Sequence, residues 1–270
     1  MIATRPPAVA GSFYESHPVA LRREVDALLE TAPSPARAEA PKALIVPHAG
    51  HVYSGPIAAS AYALLRPFAE RYRRVVLLGP THRVPLRGLG LPGVGAFATP
   101  LGLVPVDEAA VAVAARCPGV TVSPAAHARE HSLEVQLPFL QRVLPSFSLV
   151  PLAVGAASEA EVADVLEQLW GGQETLLVVS SDLSHFEDYD TARAHDLATA
   201  RRFLALDGHF DGEDACGCVP VRGLLALARR RRLAIELVDL RSSGDTAGDK
   251  DRVVGYGAFA FYEREVSWNT

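Results

Sequence analysis

Unbroken apolar runs alternate along this chain with stretches whose apolar residues recur at helical spacing. Ala43–Val46, Val75–Leu78 and Leu176–Val179 are short aliphatic and β-branched runs bounded by Gly, Pro or Ser. Such runs read as strands buried on both faces of a parallel sheet. Phe147–Val154, Leu233–Leu240 and Val253–Tyr262 predict further strands. Helices are predicted over about 17–31, where Leu21, Val25, Leu28 and Leu29 share a face, and over 107–115, 159–169, 191–206 and 221–230. Another starts at Ser54-Gly55-Pro56, read as a serine cap with proline in the first turn, and runs to about Arg66. One more is opened by Glu130-His131-Ser132 and carries Leu133, Leu137 and Leu140. The glycine- and proline-rich stretch Arg83–Val106 predicts a hairpin or a lid. Thr31–Lys42, with Pro33, Pro35 and Pro41, reads as a connection within one domain. The alternation predicts one layered α/β domain over residues 1–270.

Three of the runs end in a turn that carries a histidine: Pro47-His48-Ala49-Gly50, Gly79-Pro80-Thr81-His82, and Ser180-Ser181-Asp182-Leu183-Ser184-His185. In open α/β sheets the ligand crevice lies beyond the carboxyl ends of the strands. Imidazoles and a carboxylate delivered there suggest a metal site. Two histidines and one carboxylate with open positions are the facial triad of non-haem iron(II) enzymes, and His48, His82 and Asp182 supply that set. Each residue also has a plainer reading, as a turn histidine or a capping aspartate. Asp182 and His185 would share a face if a helical turn follows the strand.

Cys216-Gly217-Cys218 offers a soft ligand, a reactive thiol or a redox pair, and Cys216 is placed in a loop. Cys117 reads as a buried apolar residue. His131 and Glu134, three apart at a helix start, suggest a pair that orients ligands or shuttles a proton, against the simpler reading of helix capping. His17, His127, His195 and His209 sit in polar contexts read as exposed and receive no role.

Bulk properties narrow the class. A hydrophobic fraction of 49%, a charged fraction of 21% and a net charge of −5 describe a globular protein and argue against nucleic acid as a partner. The run Arg229–Arg232 reads as the solvated last turn of a helix. Three cysteines form no disulfide framework, no signal-like apolar segment opens the chain, and no stretch is long enough to span a membrane. The expectation is a cytoplasmic protein that binds neither nucleic acid nor membrane.

Longer motifs add a resemblance. Arg5-Pro6-Pro7-Ala8-Val9-Ala10-Gly11-Ser12-Phe13-Tyr14, the turns at His48 and His82, Glu130-His131-Ser132-Leu133-Glu134-Val135-Gln136-Leu137-Pro138-Phe139, Ser180 to Phe186, Cys216-Gly217 and Ser243-Gly244-Asp245 through Gly248-Asp249-Lys250 together resemble the Memo family over essentially the whole chain. The resemblance implies a three-layer αβα sandwich similar to that of class III extradiol dioxygenases. It also implies a metal pocket of His48, His82 and Cys216, with Asp182 and His185 nearby as its reactive flank; the pair His131 and Glu134 is expected to support it from its place at a helix start. Iron (Fe2+) or copper is the implied cofactor, with zinc a third option, and a redox or oxygen-dependent role on a small molecule or peptide. Radical-SAM and AMMECR-type proteins are the implied partners. His51 stands where the family commonly has tyrosine, and Cys218 is an additional thiol; whether either joins the site is left open. Two other readings stand beside this one: a pocket that binds a peptide or anion without catalysis, and a hydrolase with Cys216 as nucleophile and His185 or His82 as base.

Overall fold

The computed structural model describes residues 2–33 and 37–264; part of the Thr31–Lys42 connection therefore lies outside the described residues. In chain order the elements are β1 (Thr4–Arg5), α1 (Pro18–Thr31), β2 (Ala43–Val46), α2 (His51–Ala63), β3 (Arg74–Pro80), β4 (Leu89–Leu91), β5 (Ala96–Thr99) and β6 (Gly102–Pro105). There follow α3 (Glu108–Ala114), β7 (Val120–Val122), α4 (Pro124–Ala128), α5 (Leu137–Val143), β8 (Ser148–Val154) and α6 (Glu159–Gln168). The chain continues through β9 (Thr175–Ser180), β10 (His185–Glu187), α7 (Tyr189–Leu204), α8 (Cys218–Arg231), β11 (Ala234–Ser242) and β12 (Val253–Tyr262).

The main sheet runs in the order β10-β12-β2-β9-β3-β8-β4-β7, with β11 also paired to β12. Its centre, β2-β9-β3-β8, is parallel, and β12 and β4 join it antiparallel. Side chains of a strand alternate between the faces, and this divides the apolar core in two. Leu44, Val46, Val75 and Leu77 pack with α1, α2 and α5 on one face. Ala43, Ile45, Val76 and Leu78 pack with α6, α8 and part of α7 on the other. The fold is an αβα sandwich with a mixed sheet. A separate sheet, β1-β5-β6, carries the N-terminal segment, and its β5–β6 hairpin accounts for much of the stretch expected to be a hairpin or lid.

Several local expectations need correction, among them the helix expected to open at Glu130-His131-Ser132, which begins at Leu137. The helix expected to start at Ser54 begins at His51, with Gly50 at its cap. Ser54 bonds back to the Ala49 carbonyl, and Gly55 makes room for α1, since a Cβ there would lie 2.8 Å from Leu28 Cδ1. No helical turn follows Asp182: the chain is extended, and His185 opens β10, paired with Val254. His127 is buried rather than exposed, bonded through Nε2 to the Gly90 carbonyl at 2.7 Å. Arg229, Arg230 and Arg231 are not merely solvated but reach Glu159, Asp164 and Glu167 on α6. Exposed pairs of this kind contribute little each.

Candidate metal centre

β2, β9 and β3 are neighbours in register, Val46 opposite Ser180 and Leu78 opposite Val179, so their carboxyl ends open onto one edge of the sheet. His48 follows β2, His82 follows β3, and Asp182 follows β9. A fourth segment, residues 130–136, folds across this edge. It seats against β3 because Gly79 has no side chain: a Cβ there would fall 2.6 Å from Ser132 Oγ. Ser132 Oγ donates to the Pro80 carbonyl at 2.9 Å. This docking brings His131 to the strand-end histidines.

One ring nitrogen from each of His48, His82 and His131 lies within 4.8 Å of the others. Two nitrogens that share an ion through bonds of about 2.1 Å sit no more than about 4.2 Å apart, so small side-chain movements would close the trio on one ion. Cys216, just ahead of α8, places Sγ 3.3 Å from His48 Nε2. Three imidazoles and a thiol suit iron, copper or zinc and do not suit magnesium or calcium.

Burial keeps two of the imidazoles in the neutral state that ligation requires. Burial, reinforced by the neighbouring His82, pushes His48 down to about 3. Burial, then the adjacent His48, pushes His131 down to about 4. Both rings are therefore neutral at neutral pH, with a lone pair available. Burial and the nearby Asp182 raise the Cys216 thiol, so it holds its proton until a cation displaces it.

The carboxylate that organises the site is Glu130. Its Oε1 accepts from His82 Nδ1, from His131 N and from Ser132 N, each at 2.9 Å, and its Oε2 accepts from His82 N at 2.6 Å. A carboxylate only accepts, so it draws the His82 ring proton to Nδ1 and leaves Nε2 free to bind a metal. Although burial opposes its ionisation, the bonds from the His82 side chain and backbone hold the Glu130 carboxyl at about 2. Nothing in the apolar periodicity pointed to Glu130. The only local signal was a carboxylate next to His131.

Glu134 sits elsewhere. Its Oε2 accepts from Arg5 Nη1 at 2.6 Å and Ala8 N at 2.8 Å, and its Oε1 accepts from Val9 N at 3.0 Å and Tyr14 Oη at 2.5 Å. It fastens the N-terminal segment, whose Phe13 ring packs 4.8 Å from the His131 ring. Asp182 is buried and accepts the His48 N–H at 2.6 Å, while its own N–H donates to Cys216 Sγ at 3.3 Å. Burial raises its carboxyl, although the His48 N–H and the charge of His185 oppose this. His185 is half-buried and lies near enough for its charge to act on both His48 and Asp182. His51 turns away, packed between Tyr14 and Phe139 with Nε2 3.3 Å from the Val135 carbonyl oxygen. Cys218 opens α8, half-buried. Among the described residues no helix is long and apolar enough to cross a membrane.

The Memo family profile, described as Memo-like protein, matches residues 5–260. A MEMO1 family protein of Archaeoglobus fulgidus is 36% identical over 276 residues, covering 95% of this chain and 99% of the relative. One from Methanopyrus kandleri is 35% identical over 281 residues, covering 95% and 98%. One from Caldivirga maquilingensis is 32% identical over 287 residues, covering 97% and 100%. A solved structure of an uncharacterized Escherichia coli K12 protein superposes with a TM-score of 0.49 at 17% identity, covering 79% of this chain and 98% of that one. A similarity that distant carries no information about chemistry.

Proposed function

Because this chain belongs to the Memo family, we propose that it is a metal-binding protein with one mononuclear centre, held by His48, His82 and His131 with Cys216 as the soft ligand. The observation that carries this reading is the convergence of three imidazoles, two of them held neutral by burial, beside a thiol. His131 thereby moves from a supporting role into the ligand set, and Glu130 takes the orienting role expected of Glu134. The mixed nitrogen and sulfur donors favour iron(II) or copper, with zinc the closed-shell alternative. When bound, iron or copper would supply electron transfer or oxygen activation. Asp182 holds the His48 backbone, and His185, close enough to influence Asp182 electrostatically, would take or return a proton there.

Metal analysis of anaerobically purified protein tests the assignment: about one iron or copper per chain is expected for one such site. His48→Ala with His82→Ala should abolish it. Cys216→Ser should weaken copper(I) more than zinc. Metal content unchanged in the double variant would overturn the reading.

The contact between Cys216 Sγ and His48 Nε2 is also the one a Cys-dependent hydrolase would use. An activated nucleophile needs a lowered thiol pKa, and here burial and Asp182 raise it. The metal reading is the better supported. Partnership with radical-SAM and AMMECR-type proteins is part of the proposal, tested by co-purification with the tagged chain.

A further inference from the structure

We infer that Ser180 is a positioning residue that fixes the tautomer of His48, through a chain of hydrogen bonds whose direction is set from both ends. Ser180 Oγ has three partners: the Ser132 carbonyl at 2.7 Å, Gln136 Nε2 at 2.9 Å and His48 Nδ1 at 2.8 Å. A hydroxyl has one hydrogen and two lone pairs. The carbonyl can only accept, so the hydroxyl hydrogen goes to Ser132. The amide nitrogen can only donate, so it occupies one lone pair. The one place left is an acceptor, and His48 must fill it with an N–H on Nδ1.

The orientation of Gln136 is not free either. Its Nε2 also donates to the Pro47 carbonyl at 2.8 Å, which fixes which end of the amide faces Ser180. Its Oε1 accepts from Tyr62 Oη at 2.9 Å. Tyr62, Gln136, Ser132, Ser180 and His48 are all buried, so no water competes for these bonds. Every link agrees on one direction.

The result is a His48 ring whose Nε2 lone pair points at Cys216 and the other imidazoles. His82 reaches the same state by a different device, the Glu130 carboxylate. The site thus uses a charged acceptor for one ligand and a neutral hydroxyl for the other. A carboxylate on His48 as well would place a second anion beside the buried Asp182. The tautomer stands on the hydrogen-bond directions alone. Its consequence for metal affinity rests on the proposed function.

The test is long-range proton–nitrogen correlation NMR on full-length, metal-free protein labelled with 15N-histidine, the His48 signals being identified by their loss in His48→Gln. The wild type should show His48 protonated at Nδ1 and bare at Nε2. In Ser180→Ala the proton should move at least partly to Nε2, and Ser180→Thr, which keeps the hydroxyl, should restore the wild-type pattern. Zinc titration of the same samples should show affinity lowered about 10- to 100-fold in Ser180→Ala and recovered in Ser180→Thr. A wild-type His48 carrying its proton on Nε2, or an alanine variant with an unchanged tautomer, overturns the inference. With His48 assigned, the wild-type spectrum decides this even if the Ser180 variants fail to fold. A correct tautomer in a protein that takes up no metal would instead refute the metal centre and leave the wiring intact.

Discussion

Replacing Glu130 with glutamine changes one oxygen to NH2 and should damage both stability and the metal site. In the wild type four N–H groups converge on the carboxylate, three on Oε1 and one on Oε2. Whichever way the amide faces, its NH2 meets N–H donors that it cannot accept from. The carboxyl is held at about 2 against its ordinary 4.5, which corresponds to roughly 3 kcal/mol of preferential stabilisation at neutral pH. Independently, leaving a buried donor unpaired costs about 1–3 kcal/mol, more where the lost partner was charged. Both give a destabilisation of about 3 kcal/mol, read as a shift of the urea midpoint at pH 7 with unchanged m-value. The folded-state value is depressed, so this contribution is present above about pH 4.5 and lost as pH falls from there toward 2. The gap between wild type and variant should therefore hold down to about pH 5 and narrow below it. Metal affinity should fall about 10- to 100-fold, as when the acceptor behind a ligating histidine is removed. A variant that loses less than about 1 kcal/mol and binds metal like the wild type would refute the role assigned to Glu130.

The remaining predictions concern neighbouring features. Glu134→Gln leaves the buried Arg5 guanidinium without its anion; breaking such a pair costs about 3–5 kcal/mol unless the partner is released. Faster amide exchange over residues 8–14 is therefore expected, with metal affinity less affected than in Glu130→Gln, and equal metal loss in the two variants would count against separating their roles. Burial holds His48, His127 and His131 at about 3, 4 and 4, so the unfolded chain binds more protons below pH 6.5 and stability falls on acidification. The three histidines together give the metal-free protein a slope of about 3 kcal/mol per pH unit between pH 6 and 5, partly offset by His195 and by the buried Asp182 and Asp196, whose carboxyls burial raises. Burial opposes protonation of His195, but Asp214 and Glu187 raise it, so its share of stability is present at low pH and lost as pH rises. Urea midpoints across that range check this, and a flat profile contradicts it. Gly217→Ala puts a Cβ 2.8 Å from the Ser180 carbonyl oxygen and 2.6 Å from Ser181 Cβ. It should displace Cys216 and speed its alkylation by iodoacetamide, measured by mass spectrometry; an unchanged rate would show that the loop absorbs the methyl group.

The strands were legible because a strand buried on both faces needs an unbroken apolar run, and that is a local property of the chain. Val253–Tyr262 matches β12 residue for residue, and α1 begins one residue from its expected start. The end-of-strand histidines were legible for the same reason, since a residue following such a run lies at the sheet edge whatever the strand order. Helix starts were less legible: the sequence presents Ser54 as a cap, but the chain enters α2 earlier, where Gly50 accommodates the Phe13 backbone and Phe13 accepts the His51 N–H at 2.7 Å.

What the sequence pattern determined by itself was a layered α/β domain and the delivery of His48, His82 and Asp182 to strand ends, the αβα sandwich coming from the family resemblance. Tertiary structure decided which of them meet. The order β2-β9-β3 brings His48 and His82 to neighbouring strand ends, and no local periodicity encodes that order. The partner of each buried carboxylate is decided the same way. Glu130 and Glu134 lie four residues apart in one motif, yet one receives donors from the histidine cluster and the other those of a segment more than a hundred residues away. A buried carboxylate must be satisfied by whatever donors the fold places around it, and only the assembled fold determines which those are.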